Sequence, residues 1–184
     1  IFISLKKKKS MDKLFLAAIK EETVGLDYFK HIGVGKINAA YNSLKLIQIH
    51  KPKIVINYGT AGAINTKLKG IVECTKFYQR DMDVRGLDFK LGETPFDKVK
   101  EIIISDSGYS CGTGDNFVNQ KIEMEVDVVD MEAYAIAKVC MLENIEFKCF
   151  KYISDNADKN AYNDWNTNLA LGAEAFAKMI NKKF

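Results

Sequence analysis

Proline is nearly absent from this chain, with two in 184 residues, and low-complexity sequence is confined to one short lysine run. Neither a disordered tail nor a proline-rich linker has the composition it needs. Arginine is as scarce: positive charge is carried by lysines spread over the whole length, with arginine only at Arg80 and Arg85. Nucleic-acid readers concentrate charge on one face and use arginine forks on phosphates, so the net charge of +3 reads as solvated lysine and no nucleic-acid partner is expected. No C-x-x-C pair occurs. Cys74, Cys111, Cys140 and Cys149 lie far apart and two sit in apolar runs, which fits buried reduced thiols of a cytoplasmic protein, with no disulfide, metal or other cofactor expected. No apolar stretch suits a membrane span, and the one at Ile1 to Leu5 precedes its lysines, the wrong order for a signal peptide. Residues 1–10 read as an extension ahead of a single domain over 11–184.

What is there fits one core. Apolar residues make up 47% and charged residues 28%, ordinary proportions for a globular domain of this length. A short apolar run at 14–19 reads as a buried strand ending on Lys20-Glu21-Glu22. Beyond Gly33-Val34-Gly35, residues 36–50 place Ile37, Ala40, Tyr41, Leu44 and Ile47 at helical spacing, and the helix stops before Pro52. Residues 53–57 form a β-branched strand that runs into Gly59-Thr60-Ala61-Gly62, read as a tight turn leading to a helix. Further strands are expected at 71–78, 101–105, 126–130 and 147–153, a glycine-rich loop at 108–114, and helices at 131–142 and 169–180. The alternation predicts one α/β domain.

Three of the strand ends release acids: Glu22, the Asp130-Met131-Glu132 trio, and Asp155. Strand ends on the carboxyl side of an open α/β sheet converge on one crevice, so acids distant in sequence can meet there. Each alone has a plain structural explanation as a solvated turn residue or a helix cap. Glu132 is harder to dismiss, because it lies between an apolar strand and an alanine-rich helix, where an unpaired carboxylate costs several kcal/mol to bury. Gly59 to Gly62 lacks the spacing of either phosphate-binding glycine fingerprint.

Taken together, the segments Val55-Ile56-Asn57-Tyr58-Gly59-Thr60-Ala61-Gly62, Gly114-Asp115-Asn116-Phe117-Val118, Val129-Asp130-Met131-Glu132-Ala133 and Ile153-Ser154-Asp155-Asn156-Ala157-Asp158 appear in order, with Ala18 to Glu22 and Gly33 to Lys36 before them. In this order they resemble the 5′-methylthioadenosine/S-adenosylhomocysteine nucleosidases, within the wider group of purine nucleoside phosphorylases and nucleosidases. The resemblance covers essentially Met11 to the C-terminus and implies an α/β fold of three layers, α/β/α, around a mixed central sheet. It implies hydrolysis of the N-glycosidic bond of a 5′-substituted adenosine, with adenine released, by a homodimer. It implies further that Glu22 is the general base on water and Asp155 the acid toward adenine N7, steadied by Ser154. Glu132 would hold the ribose hydroxyls, with Asp130 beside it. Met131 would pack on the sugar, Phe117 on the base, and the Val118 backbone would read the base edge. Thr60 and Gly62 would line the water and ribose side, while Ile19 and Trp165 would shape the 5′ pocket. The chemistry agrees: cleavage leaves an oxocarbenium-like sugar and a purine that needs a proton, which suits two carboxyls flanking the bond.

Phosphorylases of the wider group carry an arginine just before the glycine turn, where this chain has Asn57, so water is the expected nucleophile. A phosphate-dependent phosphorylase, with Arg80 and Arg85 as candidate phosphate ligands, and a non-catalytic nucleoside binder stay open as alternatives. The chain is also shorter than typical members, with losses near 28–31, where a hairpin is expected, and 96–101, where a helix is expected.

Overall fold

The computed structural model describes residues 11–183, so the reading of residues 1–10 lies outside the described residues. Eight strands and three helices follow in the order β1 (Lys13–Ala17), β2 (Phe29–His31), α1 (Lys36–His50), β3 (Ile54–Ala63), β4 (Ile71–Gln79), β5 (Ile102–Ile103), β6 (Tyr109–Thr113), β7 (Val128–Asp130), α2 (Ala133–Leu142), β8 (Glu146–Asp155) and α3 (Ala161–Lys183). The apolar strands are buried on both faces. Leu14, Leu16 and Val55 enter the core under α1 and α2, whereas Ala17, Ile54 and Ile56 enter the one under α3 with Phe176 and Ile180. That division makes the three expected layers.

The sheet is mixed, and part of it closes. β3 pairs with β8 in parallel, β8 with β4 antiparallel, β4 with β6 and β6 with β7 in parallel, and β7 returns to β3 antiparallel; β1 and β2 extend the sheet from β3 in parallel. The register of β3 on β8 shifts between Ala61 and Gly62, where β7 joins, and this seam is where the acids gather.

Several sequence readings need correction. Gly59 to Gly62 is not a turn and no helix follows it: β3 runs through to Ala63, because both its edges are paired and the small residues admit close neighbours. Most of the expected glycine loop at 108–114 is strand β6, likewise paired on both sides. In α1 the buried stripe is Ala39, Ser43 and Ile47, with Ser43 satisfied by the Ala39 carbonyl at 2.5 Å, while Ile37 and Tyr41 are 80% and 65% exposed. α3 begins at Ala161, a full two turns before the predicted start, so Trp165 lies on it. The short parallel strand β2 occupies 29–31, and turns precede the two-residue β5 where a helix was expected. No helix among the described residues is long and apolar enough to cross a membrane.

Candidate active site

A cavity of about 350 Å³ opens where the strand ends meet. Its walls hold every residue to which the nucleosidase resemblance gave a role: Ile19, Glu22, Thr60, Gly62, Phe117, Val118, Asp130, Met131, Glu132, Ser154, Asp155 and Trp165. A wider groove of about 690 Å³ between β4, β5 and the end of α2 gathers none of these acids. Convergence does not follow the expected route throughout. Asp155 comes from the carboxyl end of β8, but Glu22 sits on a 3-10 turn, Lys20–Thr23, beyond β1, and Asp130 arrives on β7, which runs against β3.

Glu22 is buried, and its Oε1 accepts both the Thr60 N–H at 2.7 Å and the Thr60 hydroxyl at 2.8 Å. Its Oε2 is buried in the cavity wall without a partner among the described residues, a free acceptor that needs a donor from a bound molecule. From α3, Trp165 Nε1 donates to the Thr60 hydroxyl at 3.0 Å, so the tryptophan steadies the group that steadies Glu22.

Asp155 faces a different constraint. Its Oδ2 accepts the Ser154 hydroxyl at 2.7 Å and its Oδ1 the Ala157 N–H at 2.9 Å. Burial raises its carboxyl above the usual value even against these two donors, with Asp164 and Asp158 adding to the rise. A Cβ at position 62 would lie 2.7 Å from Asp155 Oδ1, so only glycine lets the carboxylate pack this close to β3. Thr60 and Gly62, the anchors of the two acids, are two residues apart on β3, about 7 Å along an extended strand.

The trio divides its work. Asp130 Oδ2 takes the Ala133 N–H at 2.8 Å, the Glu132 N–H at 3.2 Å and the Lys151 ammonium at 2.8 Å; its Oδ1 takes the Thr113 hydroxyl at 2.6 Å. Burial alone would raise the Asp130 carboxyl, but Lys151 and these donors hold it below the ordinary range. With both oxygens engaged, Asp130 braces the site instead of offering a free acceptor. Glu132 accepts the Gly35 N–H at the start of α1, 2.9 Å away. Burial, then the negative charge of Asp130, pushes its carboxyl up to about 8.

Sequence reasoning missed Lys151. It is 1% exposed in the middle of β8, and the carboxylate beneath it holds its pKa well above the ordinary value despite burial. The signal was present: a lysine inside an otherwise apolar central strand is rarely buried without a partner. The remaining cations do not form an anion site. Asn57 is buried, donates to the Leu16 carbonyl at 3.1 Å and accepts from Cys149, so it faces the sheet. Arg85 is an exposed partner of Asp83 and Glu123. Arg80 lines the cavity, but both terminal nitrogens are hydrogen-bonded to the 114–116 backbone and Asn116. All four thiols are buried and free, and among the described residues no three His, Cys, Asp or Glu side chains are placed to hold a metal ion.

Comparison with known proteins finds relatives of this chain in sequence and in fold. Residues 97–182 match the family described as the phosphorylase superfamily. A 5′-methylthioadenosine/S-adenosylhomocysteine nucleosidase from Haemophilus ducreyi is 30% identical over 175 residues, 80% of this chain and 75% of its own. A protein of the same name from a Marinomonas species is 26% identical over 209 residues, 92% of this chain and 90% of its own. Among solved structures, futalosine hydrolase of Helicobacter pylori matches with a TM-score of 0.83 at 20% identity, covering 95% of this chain and 96% of that one. A mutant nucleosidase of the same organism, holding 5′-methylthioadenosine in its active site, matches with a TM-score of 0.85 at 21% identity, over 94% and 97%. These structural likenesses establish the fold.

Proposed function

Because this chain belongs to the family of 5′-methylthioadenosine/S-adenosylhomocysteine nucleosidases, we infer that it hydrolyses the N-glycosidic bond of a 5′-substituted adenosine and releases adenine. The observation that carries the mechanism is the pair of carboxyls lining one cavity: Glu22 with one buried oxygen unpartnered, and Asp155 with its pKa raised. In this reading Glu22 orients and deprotonates water through Oε2, and Asp155, steadied by Ser154, supplies a proton or hydrogen bond to the leaving purine. An acid with an ordinary pKa of about 3.9 would be ionised near neutral pH, so the upward shift moves Asp155 toward its task. Glu132 accepts the ribose hydroxyls, Met131 packs on the sugar, and Phe117 and Val118 meet the base. Thr60 and Gly62 set the two acids, and Trp165 both walls the 5′ side and anchors Thr60.

Water is favoured over phosphate because Arg80 is the one cationic side chain among the described residues lining the cavity, and its terminal nitrogens are already engaged. A homodimer is supported by the outward apolar face of Ile37, Tyr41 and Leu142, exposed by 80%, 65% and 64%, on adjoining helices α1 and α2. Four free thiols fit a cytoplasmic location. Glu22→Gln and Asp155→Asn, assayed by adenine release from 5′-methylthioadenosine, should each lower kcat about 10²- to 10⁴-fold while the fold is kept. Wild-type turnover in either variant would remove that residue from the chemistry.

A further inference from the structure

Of the residues proposed to meet the base, Val118 is buried against Val126, Val129 and Ala157, whereas Phe117 ends a segment that packing does not hold. Asp115, Asn116 and Phe117 are exposed, and the backbone between β6 and the next turn is irregular. Its geometry comes instead from two consecutive residues at the exit of β4. Arg80 is 8% exposed and lies flat on β6, its own N–H donating to the Thr113 carbonyl at 2.9 Å. A Cβ on Gly114 would fall 2.7 Å from the guanidinium carbon, and one on Gly112 would lie 3.4 Å from the side-chain stem, so bare backbone is what admits the arginine. From there Nη1 donates to Asn116 Oδ1 at 2.9 Å, and Nη2 to the Asn116 carbonyl at 2.6 Å and the Gly114 carbonyl at 3.4 Å. Nε is buried with no partner among the described residues, a cost that a lysine would not carry.

Asp81 grips the same segment from the other side. Its Oδ2 accepts the Asp115 N–H at 2.8 Å and its Oδ1 the Lys36 ammonium at 2.5 Å. Asp115 in turn accepts the Lys36 N–H at 2.7 Å. The preceding N–H, that of Gly35, is the one held by Glu132. Two neighbouring amides at the start of α1 thus hold a carboxylate of the base segment and the carboxyl assigned to the ribose.

Resting on the nucleosidase reading above, we propose that Arg80 and Asp81 act as one positioning element, which sets Phe117 and Val118 at a fixed distance from Glu132 and so decides recognition of the purine base. Neither residue takes part in bond breaking. The contacts they support are alike in ground and transition states, so their loss weakens KM and leaves kcat nearly untouched. The arginine fork matters because it holds one carbonyl and one side-chain oxygen of a single residue, which an ammonium cannot do in the same plane.

Three substitutions reach the clamp independently: Arg80→Met, Asn116→Ala from the loop side, and Gly114→Ala, which keeps Arg80 but places a Cβ against it. Binding of adenine is read from the fluorescence of Trp165, the single tryptophan, and turnover from adenine release and, separately, hypoxanthine release from the inosine analogue. Each variant should raise KM and the adenine Kd about tenfold, the equivalent of about 1.4 kcal/mol, with kcat within threefold of wild type and a narrowed preference for adenine over hypoxanthine. The Arg80→Met/Asn116→Ala double variant should be no worse than the poorer single one. Unchanged KM and adenine Kd in the Asn116 and Gly114 variants would overturn the proposal, as would losses confined to kcat. A wild-type protein that releases no adenine would sink the nucleosidase reading, whereas the fluorescence titration would still test the clamp.

Discussion

The carboxyl of Glu132 sits where negative charge is least welcome, inside the protein and beside Asp130, and it is pushed up to about 8. Two consequences have opposite signs. For recognition, the ionised form is the better acceptor of two ribose hydroxyls, so kcat/KM should rise as pH increases through about 8 and then level off. For folding, a carboxyl whose pKa is higher in the native state contributes stability fully below its unfolded value of 4.5, and that contribution is lost as pH climbs toward about 8. Glu132→Gln should therefore melt with wild type at pH values near 4, gain several degrees over it by pH 8, and lose the rising limb of kcat/KM. Equal melting temperatures at both ends would mean that Glu132 titrates normally. The residue types were legible from the sequence, since all the strand-end acids proved to share one cavity. The division of labour was not. Asp130 and Glu132 are two positions apart on one segment, and only the placement of Lys151 shows that the first is neutralised and the second is not.

At the scale of elements, β8 carries most of what was hard to foresee. It brings Lys151 and Asp155 four residues apart in one strand, the first paired beneath the cavity and the second lining it. Lys151→Met would leave Asp130 buried and unpaired, which should lower stability by about 3 to 5 kcal/mol in denaturant titrations, with Asp130→Asn/Lys151→Met recovering part of that loss. A cost below about 1 kcal/mol would show that water reaches the pair. The glycine segment of β3 shows why local reading failed there. Glycine-rich sequence ordinarily marks a turn, but Gly59 lies against Glu22 and Lys151, and Gly62 against Asp155, so these glycines make room for charged side chains along a continuous strand. Helix α1 was placed correctly from residue 36 to 50, yet its spacing suggested the wrong buried face. Periodicity finds a stripe, and Ile37 and Tyr41 form one too, but an exposed apolar stripe looks in sequence like one that faces the core.

At the scale of the whole molecule, the circuit of β3, β8, β4, β6 and β7 explains how a short chain keeps a built site. Pairing on both sides of each of these strands fixes Thr60, Gly62, Asp130 and Asp155 against one another, while residues 28–31 and 96–101 fall on β2 and on turns ahead of β5, outside that circuit. The alternation of elements pointed to an α/β domain, and the three layers with a mixed sheet were implied by the family resemblance; the closing of the ring was not foreseen, because strand order is set by long-range pairing that no local pattern encodes. Hydrolysis in that site requires water as the activated nucleophile. The most direct test incubates the protein with 5′-methylthioadenosine in phosphate-free buffer made with heavy-oxygen water, and follows both adenine and the label in the freed sugar. Adenine should appear without phosphate, with one heavy oxygen at the anomeric carbon of each sugar released; turnover only after phosphate is added, giving a sugar 1-phosphate with no label, would contradict it.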